Sequence, residues 1–129
     1  MSDEIHQTIT FKASPHKVYE ALMDSKQHAS FTKNAASISR TVGGEISAYA
    51  GYISGKNLEL VPDHRIVQSW RASDWPEGYF SQVTFDLTPV PEGTRLVFTH
   101  ADLPEGTEAE FEQGWIDNYW TPLKKMLEG

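Results

Sequence analysis

The strongest constraint on the fold of this chain is the passage, near residue 100, from a strand-like segment to a long aromatic helix. Residues 93–100 alternate apolar and polar side chains, as a half-buried strand does. Beyond them Phe111, Trp115 and Tyr119 recur at four-residue spacing, and apolar residues continue to Leu127. A helix with one such apolar stripe needs a partner surface on which to bury it. The sequence therefore predicts a C-terminal helix packed against strands from upstream.

The upstream segments have the patterns of short strands and two short helices. Residues 4–12 alternate as a half-buried strand, and residues 24–32 predict one or two helical turns. A helix is predicted over 16–23, because Ser14 suits a helix cap and Pro15 suits a first helical turn. Six further strands, separated by turn residues and therefore antiparallel to their neighbours, are predicted at 34–41, 45–51, 53–61, 65–71, 79–88 and 94–100.

This order of elements predicts an α+β fold in a single domain over residues 1–129. An antiparallel sheet of about six or seven strands would carry its helices on one side. Two residues disturb the last helix. Pro122 predicts a kink or break near Trp120, because proline costs about 3 kcal/mol in a helix interior. The missing side chain of Gly114 is expected to let the helix approach the sheet closely.

Composition argues against several classes of function. Eighteen acidic residues against eleven basic ones give a net charge of -7, which disfavours binding to nucleic acid or to anionic lipid headgroups. There is no cysteine, so disulfides and thiolate sites are excluded, and a cytoplasmic location is expected. No run reaches the roughly 18 apolar residues of a membrane helix, and the acidic start of the chain lacks the pattern of a secretory signal.

Motifs of catalysis or metal binding are absent from the sequence. It contains no nucleophile elbow, no phosphate-binding glycine loop and no zinc-binding histidine pair, and its five histidines are scattered. Acidic residues at 105, 108, 110 and 112 lack the spacing of a calcium loop, and we interpret them as a solvated helix start. We therefore predict no catalytic residue, no metal and no cofactor.

Strand parity places a few polar side chains on the inward faces of the predicted sheet. Gln68 shares a face with Trp70, and His100 shares one with Phe98. A buried amide or imidazole needs a hydrogen-bond partner, which is either another core group, ordered water or a ligand. Ser81 is a weaker candidate of the same kind. The candidate ligand-binding residues are Gln68, Trp70, Phe85, Phe98, His100, Trp115 and Tyr119.

The aromatic side chains admit two interpretations. They line a pocket for a flat ring system, or they fill a solid core. Trp75 stands apart because it lies in a predicted loop beside Pro76. It caps the mouth of a cavity, forms part of a partner surface, or pins the loop.

Several segments, taken in their order and spacing, resemble one protein family. They are FKASPHKVYEAL at 11–22, GYISG at 51–55, ELVP at 59–62, RIVQSWR at 65–71, GTRL at 93–96 and GW at 114–115. Together they resemble proteins homologous to the activator of heat-shock protein 90 ATPase, and the element order is similar to the helix-grip fold of the START-like (SRPBCC, Bet v 1-like) superfamily. The resemblance covers nearly the whole chain. It implies a curved sheet around the C-terminal helix, with a cavity between them suited to an apolar or aromatic small molecule.

Three functions are open at this stage, because one fold of this kind serves many activities. The leading hypothesis is binding of a small hydrophobic or aromatic molecule in that cavity, without catalysis. The second, implied by the resemblance, is a protein-interaction or co-chaperone role with a chaperone partner, and it predicts an exposed apolar or acidic patch. The third is an enzyme with His100 as general acid or base, a role in which a positioned imidazole contributes roughly 10²–10⁴-fold.

Overall fold

The computed structural model describes residues 3–32, 34–104 and 106–128, so Glu105 of the predicted acidic group lies outside the described residues. Seven strands form one antiparallel sheet in the order β1-β7-β6-β5-β4-β3-β2, which confirms the predicted α+β class. They are β1 (Asp3–Phe11), β2 (Ser37–Ile38), β3 (Glu45–Ala48), β4 (Ile53–Val61), β5 (Arg65–Ala72), β6 (Ser81–Val90) and β7 (Gly93–Leu103).

Two short helices connect the first strand to the rest of the sheet. Helix α1 (Pro15–Met23) begins as predicted, because the Ser14 hydroxyl accepts a hydrogen bond from the Lys17 backbone N–H at 3.3 Å. Helix α2 (Ser25–Thr32) follows after one residue and buries His28 and Phe31. No helix among the described residues is long and apolar enough to cross a membrane.

The C-terminal helix is continuous but not uniform. It consists of α3 (Glu108–Trp115), a π-helical turn (Ile116–Trp120) and α4 (Thr121–Glu128). The irregularity predicted near Trp120 is present, but it is a π turn and not a break. Pro122 has no N–H, so it cannot make the usual helical hydrogen bond to the Asn118 carbonyl four residues before it. That carbonyl instead accepts a hydrogen bond from the Tyr49 hydroxyl at 3.1 Å.

Two predicted strands are shorter than their sequence pattern indicated. The strand expected at 34–41 is only β2, because side chains take the place of a strand partner around it. Ser25 Oγ accepts the Ile38 N–H at 2.8 Å, and the Asn57 amide donates to the carbonyls of Ser39 and Thr41. The strand expected at 45–51 ends at Ala48, since the next three residues all have positive φ angles.

The main core lies between the inward face of the sheet and the C-terminal helix. The predicted inward parity is confirmed on β6 and β7, because Phe85 and Phe98 are buried and their ring centroids lie 5.2 Å apart. From the helix, Trp115 approaches Phe98 with ring centroids 4.3 Å apart, and Leu123 is fully buried. This packing brings the helix across the sheet and leaves space toward β4.

Candidate functional site

A cavity of about 300 Å³ lies between the C-terminal helix and the beginning of β4. This volume is at the small end of the range of about 300–1,000 Å³ that ligand pockets usually have. Among the described residues, its wall carries six aromatic side chains and one charged side chain, a carboxylate. The lining residues are Tyr49, Tyr52, Ile53, Trp70, Glu110, Phe111, Gly114, Trp115, Asn118 and Tyr119.

The sheet side of the cavity is shaped by a turn of unusual conformation. Tyr49 and Ala50 have φ angles of 52° and 56°, and Gly51 follows at 93°. A left-handed conformation costs a residue with a side chain roughly 1–2 kcal/mol. Backbone hydrogen bonds from the Ala50 N–H to the Ala35 carbonyl and from the Tyr52 N–H to the Tyr49 carbonyl hold the turn. The turn thereby places both tyrosines in the cavity wall.

The helix side of the cavity follows from four-residue spacing along one face. Glu110, Gly114 and Asn118 form one row of this face, and Phe111, Trp115 and Tyr119 form the next. Gly114 does not bring the helix close to the sheet, contrary to the sequence-based expectation. A Cβ atom added there would meet only the Asn118 side-chain nitrogen, at 3.9 Å. The missing side chain therefore widens the cavity.

His100 lies behind the cavity in a closed chain of hydrogen bonds. The Trp115 indole N–H donates to His100 Nδ1 at 3.0 Å, so the imidazole hydrogen is on Nε2. That N–H donates to Ser81 Oγ at 2.7 Å, and the Ser81 hydroxyl donates to the Trp70 carbonyl at 3.0 Å. His100 is fully buried, and burial lowers its pKa to about 3. Both ring nitrogens are thus occupied by core groups.

Gln68 takes part in a second buried network. Its carbonyl oxygen accepts the Trp70 indole N–H at 2.9 Å, and its amide nitrogen donates to Asn57 Oδ1 at 3.0 Å. The same nitrogen lies 3.8 Å from Met23 Sδ. Gln68 therefore fixes the Trp70 indole from the side away from the cavity.

A third polar contact reaches the cavity from α2. His28 is buried, and its Nε2 lies 2.8 Å from the Tyr119 hydroxyl. His28 Nδ1 has no hydrogen-bond partner among the residues that the structure describes. Burial lowers the pKa of His28 to about 4, and burial together with the nearby Tyr49 raises the pKa of Tyr119 well above its usual range. His28 therefore stays neutral in the folded protein at neutral pH.

Two carboxylates influence one aromatic residue of the cavity wall, Tyr52. The Tyr52 hydroxyl donates to Asp74 Oδ1 at 2.9 Å. Burial, this hydrogen bond and the charges of Asp74 and Glu110 raise the pKa of Tyr52. Tyr52 is 43% exposed, so this part of the wall faces solvent. The open side of the cavity is therefore both aromatic and acidic.

The structure separates the seven candidate residues into two groups. Trp70, Trp115 and Tyr119 line the cavity. The other four are buried in the core and are not lining residues: Gln68, Phe85, Phe98 and His100. Ser81 is also buried, with both hydrogen bonds made inside the core.

Trp75 packs its loop against the helix. It is 9% exposed, and its ring lies 5.8 Å from the ring of Tyr79 and 5.6 Å from that of Phe111. Trp75 is not among the lining residues of the cavity. Of the three roles that its loop position left open, pinning the loop is the one that these contacts support.

Sequence reasoning missed the residues that the left-handed turn and the first helical turn bring to the cavity. Tyr49 belonged to the predicted strand 45–51, Tyr52 fell between two predicted strands, and Glu110 was interpreted as solvated. Phe111 was recognised only as part of the apolar stripe. Its four-residue spacing from Trp115 was a usable signal, because both residues lie on one helix face. Among the described residues, no group of three or more histidine, aspartate and glutamate side chains is placed to hold a metal ion.

The sheet, the long C-terminal helix and the cavity between them define a domain of the START-like helix-grip class. Comparison with known proteins narrows this class. The chain belongs to the family described as "Activator of Hsp90 ATPase homolog 1-like protein", whose model matches residues 12–128.

Individual relatives agree with this assignment. The chain is 30% identical over 118 residues to human "Activator of 90 kDa heat shock protein ATPase homolog 1". The matched region covers 92% of this chain and 35% of the human protein. It therefore spans about a third of the length of the curated relatives it matches.

Two solved structures are similar over almost their whole length. An HSP90 activator from Plasmodium falciparum matches with a TM-score of 0.89 at 27% identity, over 99% of this chain and 96% of that one. The Aha1 dimer from Colwellia psychrerythraea matches with a TM-score of 0.83 at 28% identity, over 98% of this chain and 96% of that one.

Proposed function

We propose that this domain binds a chaperone of the Hsp90 class and influences its ATPase activity. The observation that carries the proposal is the family match over residues 12–128, together with relatives that are named as activators of this ATPase. The chain spans 35% of the human relative. Of the activities that such a relative's name implies, we therefore expect this domain to share chaperone binding first and the effect on the ATPase rate second. A cytoplasmic location belongs to the same proposal.

Two exposed apolar side chains on the described surface support a contact of this kind. Val42 is 64% exposed and Leu58 is 47% exposed. The two lie close in the fold, since the Gly43 N–H donates to the Asn57 carbonyl at 2.8 Å. Leu58 occupies a register irregularity between Asn57 and Glu59 in β4, which turns its side chain away from the core. Exposed apolar side chains at such a site support a contact with a partner protein.

Binding and ATPase assays with the Hsp90 chaperone of the same host test this proposal. The domain should bind the chaperone and change its ATPase rate, and Leu58→Asp should weaken binding by about tenfold, equivalent to about 1.4 kcal/mol. Val97→Asp is the matched control, because Val97 is 40% exposed on β7, three strands away. Absence of both binding and any ATPase effect for the unmodified domain would refute the proposal.

The cavity supports a second function, the binding of a small hydrophobic or aromatic molecule. The supporting observation is an aromatic wall around about 300 Å³. The lining by Trp70, Trp115 and Tyr119, three of the seven residues predicted to bind such a molecule, supports this proposal. Gln68, Phe85, Phe98 and His100 would act by supporting that wall.

A variant that fills the cavity separates the two functions. Gly114→Leu would occupy the space above the helix while leaving the Leu58 region unchanged. It should abolish binding of small aromatic molecules, followed by tryptophan fluorescence and NMR, and leave chaperone binding intact. Retention of ligand binding by this variant would argue against the cavity as the binding site.

The enzyme hypothesis receives no support from the geometry around His100. Its two nitrogens are engaged by Ser81 and Trp115, and burial lowers its pKa to about 3. An efficient general acid or base has a pKa near the operating pH and reaches its substrate. We therefore do not propose catalysis.

A further inference from the structure

The polar groups of the cavity wall already make hydrogen bonds within the protein, and this limits the charge of a ligand that the wall can accept. The indole N–H groups of Trp70 and Trp115 donate to Gln68 and His100 in the core. The Tyr49 hydroxyl donates to the Asn118 carbonyl, and the Tyr52 hydroxyl donates to Asp74. Most hydrogen-bond donors of the wall are thus already engaged.

Apart from the neutral side-chain amide of Asn118, the polar group that the wall leaves available is negatively charged. Glu110 is exposed, lines the cavity and makes no ion pair among the residues that the structure describes. A second carboxylate, that of Asp74, accepts the hydrogen bond of the Tyr52 hydroxyl from the same wall. Within the part of the chain that the structure describes, no lysine, arginine or histidine lines the cavity. An anionic ligand would meet these carboxylates without a compensating charge.

Aromatic rings add a second preference of the same sign. The faces of tryptophan, tyrosine and phenylalanine rings attract cations, and such contacts are strongest with tryptophan. Six aromatic residues line this cavity, two of which are tryptophans. Since both indole N–H groups are engaged in the core, the tryptophans offer a ligand only ring surface.

We infer that the cavity binds a small organic cation, in which an ammonium group lies among the aromatic side chains beside Glu110 and an attached apolar group fills the space over Gly114. This inference rests on the proposed ligand-binding role of the same cavity and specifies its ligand class. The cavity volume of about 300 Å³ restricts the occupant to a small molecule. The net charge of -7 favours the approach of a cation from solution.

Titration with three probes of similar shape and different charge tests the inference. The cation is meta-hydroxyphenyltrimethylammonium, its neutral isostere is meta-tert-butylphenol, and the anion is para-tert-butylbenzoate. Tryptophan fluorescence and calorimetry should show the cation binding at least about tenfold more tightly than the neutral isostere, equivalent to about 1.4 kcal/mol. Of the three probes, only the cation should lose affinity as the salt concentration rises.

Two conservative substitutions locate the charge preference. Glu110→Gln should reduce affinity for the cation by about threefold to tenfold and leave affinity for the neutral isostere unchanged. Glu112→Gln is the matched control, because Glu112 is an exposed residue of the same helix that does not line the cavity. It should leave both affinities unchanged although it removes the same charge.

The possible results separate this inference from the function on which it rests. If all three probes bind equally, or the neutral or anionic probe binds best, the cavity is a ligand site and the cation inference is wrong. If none binds at sub-millimolar concentration, the ligand-binding function fails with it. If Glu110→Gln weakens only the chaperone complex, the carboxylate serves a protein partner, and the inference is likewise overturned.

Discussion

At the residue scale, the buried polar groups of this domain act mainly by holding aromatic rings in place. Trp115 and Trp70 each donate an indole N–H to a buried side chain, His100 and Gln68 respectively. A buried donor without a partner costs about 1–3 kcal/mol, so each network constrains where its indole can lie. Sequence parity predicted that both polar residues point inward, but it left open whether their partners are core groups or a ligand.

Removal of the Ser81 hydroxyl should destabilise the protein, because it leaves the His100 Nε2–H without its acceptor in the core. We expect Ser81→Ala to lower the free energy of unfolding by about 1–3 kcal/mol, measured by chemical denaturation. Ser47→Ala is the control, since Ser47 is half-buried on the outer face of β3 and should change stability by less than about 0.5 kcal/mol. Equal effects of the two substitutions would contradict the hydrogen-bond chain.

The two buried histidines should make stability depend on pH. Burial lowers the pKa of His100 to about 3 and that of His28 to about 4, from an ordinary value of 6.5. Below about pH 6.5 the unfolded chain therefore binds protons that the folded chain does not, so stability is highest above this pH and falls as pH decreases. Each histidine contributes a slope of up to about 1.4 kcal/mol per pH unit.

Denaturation curves between about pH 6.5 and about pH 5 measure this slope, in a window that lies above the ordinary range of carboxylates. His28→Gln should reduce the part due to histidine by about half, because it removes one of the two protonation sites. A slope in His28→Gln identical to that of the unmodified domain would show that His28 does not contribute.

At the element scale, the C-terminal helix shows what periodicity predicts and what it does not. The four-residue spacing of Phe111, Trp115 and Tyr119 predicted one apolar face, and the structure places that face on the sheet and cavity. The π turn at Ile116–Trp120 contains the Asn118 carbonyl, which Pro122 cannot bond and which accepts a hydrogen bond from the Tyr49 hydroxyl. The sequence shows no link between residues so far apart in the chain.

The turn at Tyr49–Gly51 is the element that sequence reasoning could not predict. Tyrosine and alanine rarely adopt positive φ angles, so the sequence has no local signal for a left-handed turn at Tyr49 and Ala50. Tertiary contacts with Ala35 and Asn118 stabilise it. Because this turn forms the sheet side of the cavity, the candidate site was only half predictable.

Two glycines test these local environments with the same chemical change. Gly114→Ala should raise the free energy of unfolding by about 0.5–1 kcal/mol, because alanine is favoured over glycine in a helix and the added Cβ meets only a side-chain atom at 3.9 Å. Gly55→Ala should destabilise by about 3 kcal/mol or more, since its Cβ would lie 1.7 Å from the Ser69 carbonyl oxygen. Chemical denaturation of both variants measures the contrast, and destabilisation by Gly114→Ala would show that the space above the helix is not open.

At the scale of the whole molecule, the sheet and the C-terminal helix share one core and should unfold together. Phe98 on the sheet contacts both Trp115 and Trp120 on the helix, with ring centroids 4.3 and 5.1 Å apart. Separate stability of either layer would expose these rings to water. A domain of this size with one core is expected to unfold in a single cooperative transition.

Leu123→Ala is a test of this coupling. Leu123 is fully buried on α4, so its truncation should lower the free energy of unfolding by about 2–5 kcal/mol. Far-ultraviolet circular dichroism and tryptophan fluorescence should shift to lower denaturant concentration together. If the fluorescence transition moved while the circular dichroism transition stayed in place, the two layers would be independent.

The sequence by itself determined the order of the elements, the inward face of each central strand and the apolar face of the C-terminal helix. These properties depend on the spacing of apolar residues within one segment, and that spacing can be read from the local sequence. Only the tertiary structure decided that Phe85 and Phe98 fill the core while Tyr49, Tyr52 and Glu110 join the cavity wall. The reason is that a cavity forms where elements distant in the chain do not pack fully against each other. Here these elements are the left-handed turn and the C-terminal helix at Gly114, which has no side chain to fill the space.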